Sequence, residues 1–240
     1  MNITIDFDPN CAAHHIDEGR SIVAVDVLRA TSTIIVALAC GAAEVIPCSE
    51  IDEAREYGAK NNAILIGERH AEKIDGFNYT NSPFDIKSAK LANRKVAITT
   101  STGTRLLTAC SRAQNVLIAS TLNSFSVAQK MKQIGGSWAI IGAGSRGEFR
   151  PEDKVGCALV SKYFLDSAEC DVDNETMDII KTYSTNIETH IRNSPSAIKL
   201  LNLSRSCDVD FVIDSIDKYS LVPQTTLSPS GYLTILNEVC

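Results

Sequence analysis

Apolar, β-branched runs alternate with stretches of helical spacing through the first two-thirds of the chain, and this alternation restricts the fold more than any other feature. The runs at 3–7, 21–26, 44–47, 63–67, 95–99, 116–120 and 137–142 are apolar almost throughout, as strands are when a sheet is covered on both faces. Between them, 31–40, 51–60, 83–90, 104–111, 124–134 and 152–166 carry helical patterns. Ser82 is a candidate N-cap, Pro83 suits a first helical position and Asp85 favours a first turn. Pro151 followed by Glu152 and Asp153 marks another helix start. The pattern predicts an α/β fold, a layered α/β/α core over residues 1–167 with a mostly parallel sheet. Residues 168–240 are more polar and read as helices at 176–192, 197–203 and 209–219 with a short strand at 232–236. They form a largely helical extension packed on the core, either a smaller subdomain or a cap over the sheet.

Composition narrows the function. In 240 residues, 44% hydrophobic and 22% charged, a sizeable core forms without disulfide or metal staples. The net charge is −6 and no block of five like charges occurs, which argues against nucleic acid or an anionic membrane as partner. The uncharged stretch 30–43 falls short of the roughly 20 residues that span a bilayer. Met1-Asn2-Ile3 opens directly into a strand-like segment without a basic leader, so export is not expected. The 8 cysteines are scattered, with no C-x-x-C and no zinc-like cluster. They read as buried or incidental thiols in a reducing cytoplasm. If the chain associates, a homodimer is the expected form.

In an open parallel sheet, ligands bind beyond the carboxyl ends of the strands. Here those ends carry Asp26 to Thr33, Gly67-Glu68-Arg69, Thr100 to Arg105, Thr121-Leu122-Asn123, and Ala143 to Asp153. Thr100, Ser101, Thr102, Gly103 and Thr104 have the composition of an oxyanion cradle. Small residues let backbone N–H groups face phosphate oxygens, and the following helix adds its positive end. Arg29, Arg69 and Arg146 are candidate anion clamps. Asp26, Glu68, Glu152 and Asp153 are candidate ligands for Mg²⁺, a hard cation satisfied by one or two carboxylates with water and substrate oxygen.

Three other motifs lead away from the site. Gly142 to Gly147 spells G-x-G-x-x-G, but the helix begins only near Glu152, whereas a dinucleotide fingerprint opens the helix itself. Asp6-Phe7-Asp8 resembles a haloacid-dehalogenase-type nucleophile motif with Asn10 where Thr or Val belongs. His14 and His15 are neighbours that read as a surface turn rather than a metal pair. No C-x₅-R and no G-x-S-x-G occurs, which excludes a cysteine phosphatase and the usual α/β-hydrolase.

Taken together, D-V-L-R-A-T-S-T (26–33), G-E-R (67–69), G-F-x-x-x-N-S-P (76–83), T-T-S-T-G-T (99–104), Leu122-Asn123 and A-G-S-R-G-E-F-R-P-E-D (143–153) resemble the ComB family, the 2-phosphosulfolactate phosphatases. Asp217 and Val222-Pro223 extend the resemblance more weakly. It implies a Mg²⁺-dependent acid phosphatase that converts 2-phosphosulfolactate to sulfolactate and phosphate, a step toward coenzyme M. Carried onto this sequence, it implies catalytic roles for Asp26, Arg29, Glu68 and Arg69. Asn81, Ser82, Thr100 to Thr104, Asn123 and Arg146 would bind substrate, and Asp26, Glu152 and Asp153 would hold the metal. Thr102 stands where the family often has Asn, and Arg150-Pro151 where it commonly has Ser or Ala, which bears on substrate contacts more than on reaction type. Two rivals remain at this stage: a phosphatase of the same family for another small phosphorylated acid, and a non-catalytic anion binder.

Overall fold

The computed structural model describes residues 1–145, 147–167, 169–228 and 231–237. The apolar runs form the strands they predict. On one side of the sheet, β4 (Ile64–Arg69), β6 (Lys95–Thr99) and β3 (Glu44–Pro47) pair in parallel. On the other, β7 (Val116–Ala119), β2 (Ser21–Val25), β8 (Trp138–Gly142) and β1 (Asn2–Phe7) do the same. Every residue of β2, β7 and β8 is buried, the property that their unbroken hydrophobicity encodes.

The two parallel halves are joined by something the sequence pattern does not show. The hairpin of β10 (Pro223–Leu227) and β11 (Leu233–Asn237) lies between them, antiparallel to both, with Ile235 opposite Val45 and Gln224 opposite Leu117. The terminal strand thus occupies the middle of the sheet. At the outer edges, β5 (Glu72–Lys73) pairs with β4, and β9 (Asp171–Val172) pairs with β1. Residues beyond 167 therefore supply both an edge and the centre of the sheet. Ile235 is fully buried. Ile235→Ala is expected to cost about 2–5 kcal/mol, read from the denaturant midpoint at unchanged slope. A cost under ~1 kcal/mol would show that the halves hold together without the hairpin.

The helices are α1 (Ala12–Asp17), α2 (Ala30–Ala39), α3 (Ile51–Asn61), α4 (Pro83–Ile86), α5 (Gly103–Cys110), α6 (Ser124–Ile134), α7 (Pro151–Leu165), α8 (Asn174–Tyr183), α9 (Ile187–Arg192), α10 (Pro195–Asn202) and α11 (Ser206–Asp214). α7 packs between α6 and α8 and against β8 and β1, while α5 packs against α1 and β2. Ser82 caps α4 as expected, its hydroxyl accepting from Asp85 N at 3.1 Å, but the helix closes after Ile86 rather than running to residue 90. The single helix expected over 176–192 is two, because the chain turns through Asn186 in the left-handed region between α8 and α9. The last helix ends at Asp214, where the expected one ran to 219. Asp217 adopts a left-handed conformation there, and its carboxylate accepts from Phe125 N at 2.8 Å at the start of α6. Among the described residues no helix is long and apolar enough to cross a membrane. The described cysteines are free thiols.

Candidate functional site

A cavity of about 130 Å³ opens at the carboxyl ends of β2, β4, β6 and β8. Its walls bring together Asp26, Arg29, Glu68, Asn81, Thr100, Ser101, Thr102, Glu152 and Asp153 from the sequence-predicted set. Asp26 ends β2. Its Oδ1 accepts from Ala30 N at 3.1 Å, at the start of α2, while its main chain is tied to the Thr31 hydroxyl in both directions. The carboxylate is thereby pinned against a helix N-terminus, and its other oxygen lies against Gly103 of α5. Arg29 precedes α2 and is almost wholly buried, with Nη1 donating to Asp208 Oδ2 at 2.8 Å.

Glu68, at the end of β4, organises the threonine-rich loop. Its Oε1 accepts from Ser101 N at 2.7 Å and its Oε2 from Ala71 N at 2.6 Å. Thr100 and Thr104 bind each other reciprocally, N–H to hydroxyl, at 3.2 and 3.1 Å. The expected cradle is thus partly filled from within. Thr102, the cap of α5, lines the cavity and is left to present its N–H toward a ligand. Asp153 stands in the first turn of α7, accepting from Val27 N at 2.9 Å and from Gly144 N at 3.3 Å. Glu152 beside it is buried, approached by the hydroxyls of Ser194 and Ser196, and keeps Oε2 without a partner. Asn81 is also buried, with its Oδ1 unpartnered.

The remaining predicted residues lie outside the cavity wall. Arg69 donates to Glu68 O at 2.8 Å and to Thr99 Oγ1 at 3.0 Å, bracing β4 on β6. Ser82 caps α4 and donates to Asp208 Oδ1. Asn123 holds the turn before α6, with Oδ1 accepting from Ser120 N and Nδ2 donating to the carbonyls of Ile118 and Leu221. Gly103 and Thr104 form the first turn of α5 behind the loop. Arg146 lies outside the described residues.

Other cavity residues were missed by sequence reasoning. Arg150 lines the wall, its Nη1 donating to Glu148 Oε2 at 2.7 Å while its buried Nε has no partner. It stands in the 143–153 run, and its place just before a helix of two acids was the available signal. Ser196, Lys199 and Leu200 reach the cavity from α10. Nothing local marks them, because a polar face on a short helix looks the same whether it meets water or a pocket.

The motifs set aside behave as follows. Gly142 ends β8 and α7 begins only at Pro151, so no helix opens on the glycine motif; Ser145 is bridged to Glu148. His15 is buried rather than on a surface turn, with Nε2 on Asp6 Oδ2 at 3.0 Å. Asp6, Cys11 and His15 lie with their donor atoms within 4.8 Å of one another, outside the cavity wall.

Burial pushes the Asp26 carboxyl up to about 6; the Ala30 N–H and Arg29 oppose the shift, and the charges of Glu152 and Glu68 add to it. Glu152 is raised chiefly by burial and Asp153 well above the usual range by burial, Asp26 and Glu152. Four buried acids facing one cavity repel each other unless positive charge joins them. The Oε2 of Glu152, buried and unbonded, is a ready ligand atom, and Asp26 keeps one oxygen clear of backbone bonds. Among the described residues these carboxylates do not gather as a close three-way group. The free oxygens of Glu152 and Asp26 are donors of the kind a hard cation takes when it keeps several waters and binds one or two carboxylates directly. The donors fit Mg²⁺.

Comparison with known proteins shows the family. The family model described as 2-phosphosulpholactate phosphatase matches residues 9–227. A protein of Clostridium tetani named probable 2-phosphosulfolactate phosphatase is 36% identical over 231 residues, covering 93% of this chain and 97% of its own. Proteins of the same name from Clostridium beijerinckii and Caldanaerobacter subterraneus are 36% and 31% identical, each over 211 residues; the matches cover 82% and 85% of this chain and 87% of each relative. With most of its length matched, and the matched region holding every residue of the cavity wall, the chain belongs to the 2-phosphosulpholactate phosphatase family.

Proposed function

We propose that the chain is a Mg²⁺-dependent phosphoric monoester hydrolase that converts 2-phosphosulfolactate to sulfolactate and phosphate, as in a route of the coenzyme M type. The observation that carries this reading is the cavity in which four buried carboxylates meet Arg29 and Arg150 at the ends of parallel strands. A purely anion-binding pocket gains nothing from added negative charge, whereas a metal-assisted hydrolase needs both signs. The relatives' names supply the substrate.

The chain's own groups divide the task. The N–H of Thr102, which lines the cavity at the positive end of α5, binds phosphoryl oxygen. Arg29 and Arg150 present guanidinium donors to anionic oxygens, the bidentate match of planar fork and oxyanion. Lys199 adds charge from α10 for a second acidic group. Wall atoms fixed by backbone bonds, as in Asp26, Glu68 and Asp153, do not reorganise as charge develops. When bound, Mg²⁺ would supply neutralisation of phosphoryl charge. The free thiols among the described residues accord with a reducing cytoplasm.

Phosphate release from a panel of phosphorylated hydroxy acids, with Mg²⁺ and with EDTA, tests this. Release is expected from 2-phosphosulfolactate with Mg²⁺ and is expected to vanish with EDTA, returning when metal is restored. Undiminished release in EDTA would overturn the metal. Preference for a panel member lacking the sulfonate would overturn the substrate, and no release from any member would overturn the hydrolase.

A further inference from the structure

Arg29 is the one arginine of the cavity wall held by a fully buried carboxylate, and that carboxylate comes from the far end of the chain. Asp208, on α11, is completely enclosed. Its Oδ2 accepts from Arg29 Nη1 at 2.8 Å, and its Oδ1 accepts from the Ser82 hydroxyl. Arg205, one turn earlier, approaches Asp208 at 3.4 Å, donates to Ser82, and reaches Asp85 of α4 at 2.7 Å. The network therefore joins α11 to two places at once, the arginine before α2 and the Asn81-Ser82 segment before α4.

From this geometry we infer that Asp208 is a positioning residue for the phosphate-binding arginine, completing from the C-terminal region a site built on the strand ends; the inference rests on the hydrolase reading above. Three features support it. Among the described residues the Arg29 guanidinium is hydrogen-bonded to Asp208 and to no other side chain, so that carboxylate fixes which guanidinium edge faces the cavity. A buried carboxylate is costly unless paired and hydrogen-bonded, and Asp208 has two guanidiniums and a hydroxyl around it. Ser82, the shared node, follows Asn81, whose unpartnered Oδ1 belongs to the same wall. The network thus sets the relation between two ligand-facing groups on different elements. Asp208 touches no substrate. It acts through Arg29.

A double-mutant cycle isolates that dependence. Affinity for inorganic phosphate is measured by calorimetry, with Mg²⁺ present, for wild type, Asp208→Asn, Arg29→Ala and the double variant, alongside thermal midpoints and kcat and KM. Asp208→Asn is expected to weaken phosphate roughly tenfold in the wild-type background and to have no further effect once Arg29 is gone. In turnover it is expected to lower kcat by about 10²-fold, as misplacement of a binding group does. If Asp208→Asn does not fold, Asp208→Glu, which keeps the charge and shifts it by one methylene, enters the same cycle with a smaller expected loss. Equal weakening in both backgrounds, or a lowered midpoint with phosphate affinity intact, would overturn the inference by reducing Asp208 to a structural tie. So would a wild type that does not bind phosphate. A wild type that binds phosphate with the expected coupling yet releases none from any ester would overturn the hydrolase reading and leave Asp208 positioning an anion-binding arginine.

Discussion

Asp26→Asn is expected to cut metal-dependent phosphate release by on the order of 10²–10³-fold while raising the thermal midpoint of the metal-free protein. The opposite signs share one cause. Asp26 is buried among Glu68, Glu152 and Asp153, and its carboxyl sits near 6 against an ordinary 3.8. The folded state therefore holds a proton that the unfolded chain has released. Stability present below pH ~4 is lost as pH rises through about 6, and the loss stays above it. The displacement corresponds to about 3 kcal/mol, an upper figure because the neighbouring acids titrate with it. Asparagine keeps the oxygen that accepts from Ala30 N and leaves the Thr31 bonds to the main chain intact, so the turn survives. What it removes is the charge. The midpoint gap between variant and wild type should open between pH 4 and 6 and remain constant at higher pH. Millimolar Mg²⁺ should then raise the wild-type midpoint more than the variant's. Equal midpoints at pH 7 without metal would show that the acids are not in conflict; wild-type turnover in the variant would remove Asp26 from the chemistry.

The contrast between strands and hairpin shows how sequence relates to fold here. Glu44–Pro47 and Lys95–Thr99 are recovered to the residue, because each opens on a charged residue, Glu44 or Lys95, and is buried throughout beyond it. β10 and β11 are equally central but read differently. Pro-Gln-Thr-Thr-Leu is polar enough to pass for a loop, and each strand of the hairpin meets its outer neighbour through a single paired position. Its place between β3 and β7 is set by the gap the two parallel halves leave, which no local pattern records. The break between α8 and α9 is similar in kind: apolar spacing continues across 184–186, and only the backbone of Asn186 reveals the turn.

The site divides along the same line. Asp26, Glu68, Thr100 to Thr102 and Asp153 were legible because polar residues placed where an apolar strand stops can only face the sheet's carboxyl edge. Arg69 and Asn123 share that placement, yet their donors are taken up by Thr99 and neighbouring carbonyls, and Ser82, implied by the resemblance alone, is spent on Asp208. Position along a strand fixes the edge a residue reaches but not whether its polar atoms arrive unspent. Ser196, Lys199 and Asp208 come from helices whose docking depends on the whole fold, so their role emerges only in three dimensions.

Gly103→Ala should be the most damaging single methyl in the site. Gly103 does not need a left-handed backbone; it needs to be small. A Cβ there would stand 2.4 Å from Ala30 Cβ and 2.4 Å from Asp26 Oδ2. Neither neighbour is the free end of a flexible chain: Ala30 is fixed in the first turn of α2, and the Asp26 carboxylate is bonded to that same turn. Relief requires α5 and α2 to part by about 1 Å to restore ordinary contact. That motion would pull Thr102 away from Asp26 and strain the reciprocal Thr100–Thr104 bonds. Overpacking of this kind costs about 1–3 kcal/mol, and a displacement of that size in a catalytic wall costs on the order of 10²-fold in turnover. Both losses are expected together, in midpoint and in kcat/KM. Ala30→Gly removes one of the two obstructing groups, so adding it to Gly103→Ala should recover stability and activity in part, the carboxylate contact remaining. If the second substitution adds its own damage and rescues nothing, the close approach of α2 to α5 is not what Gly103 is there to permit.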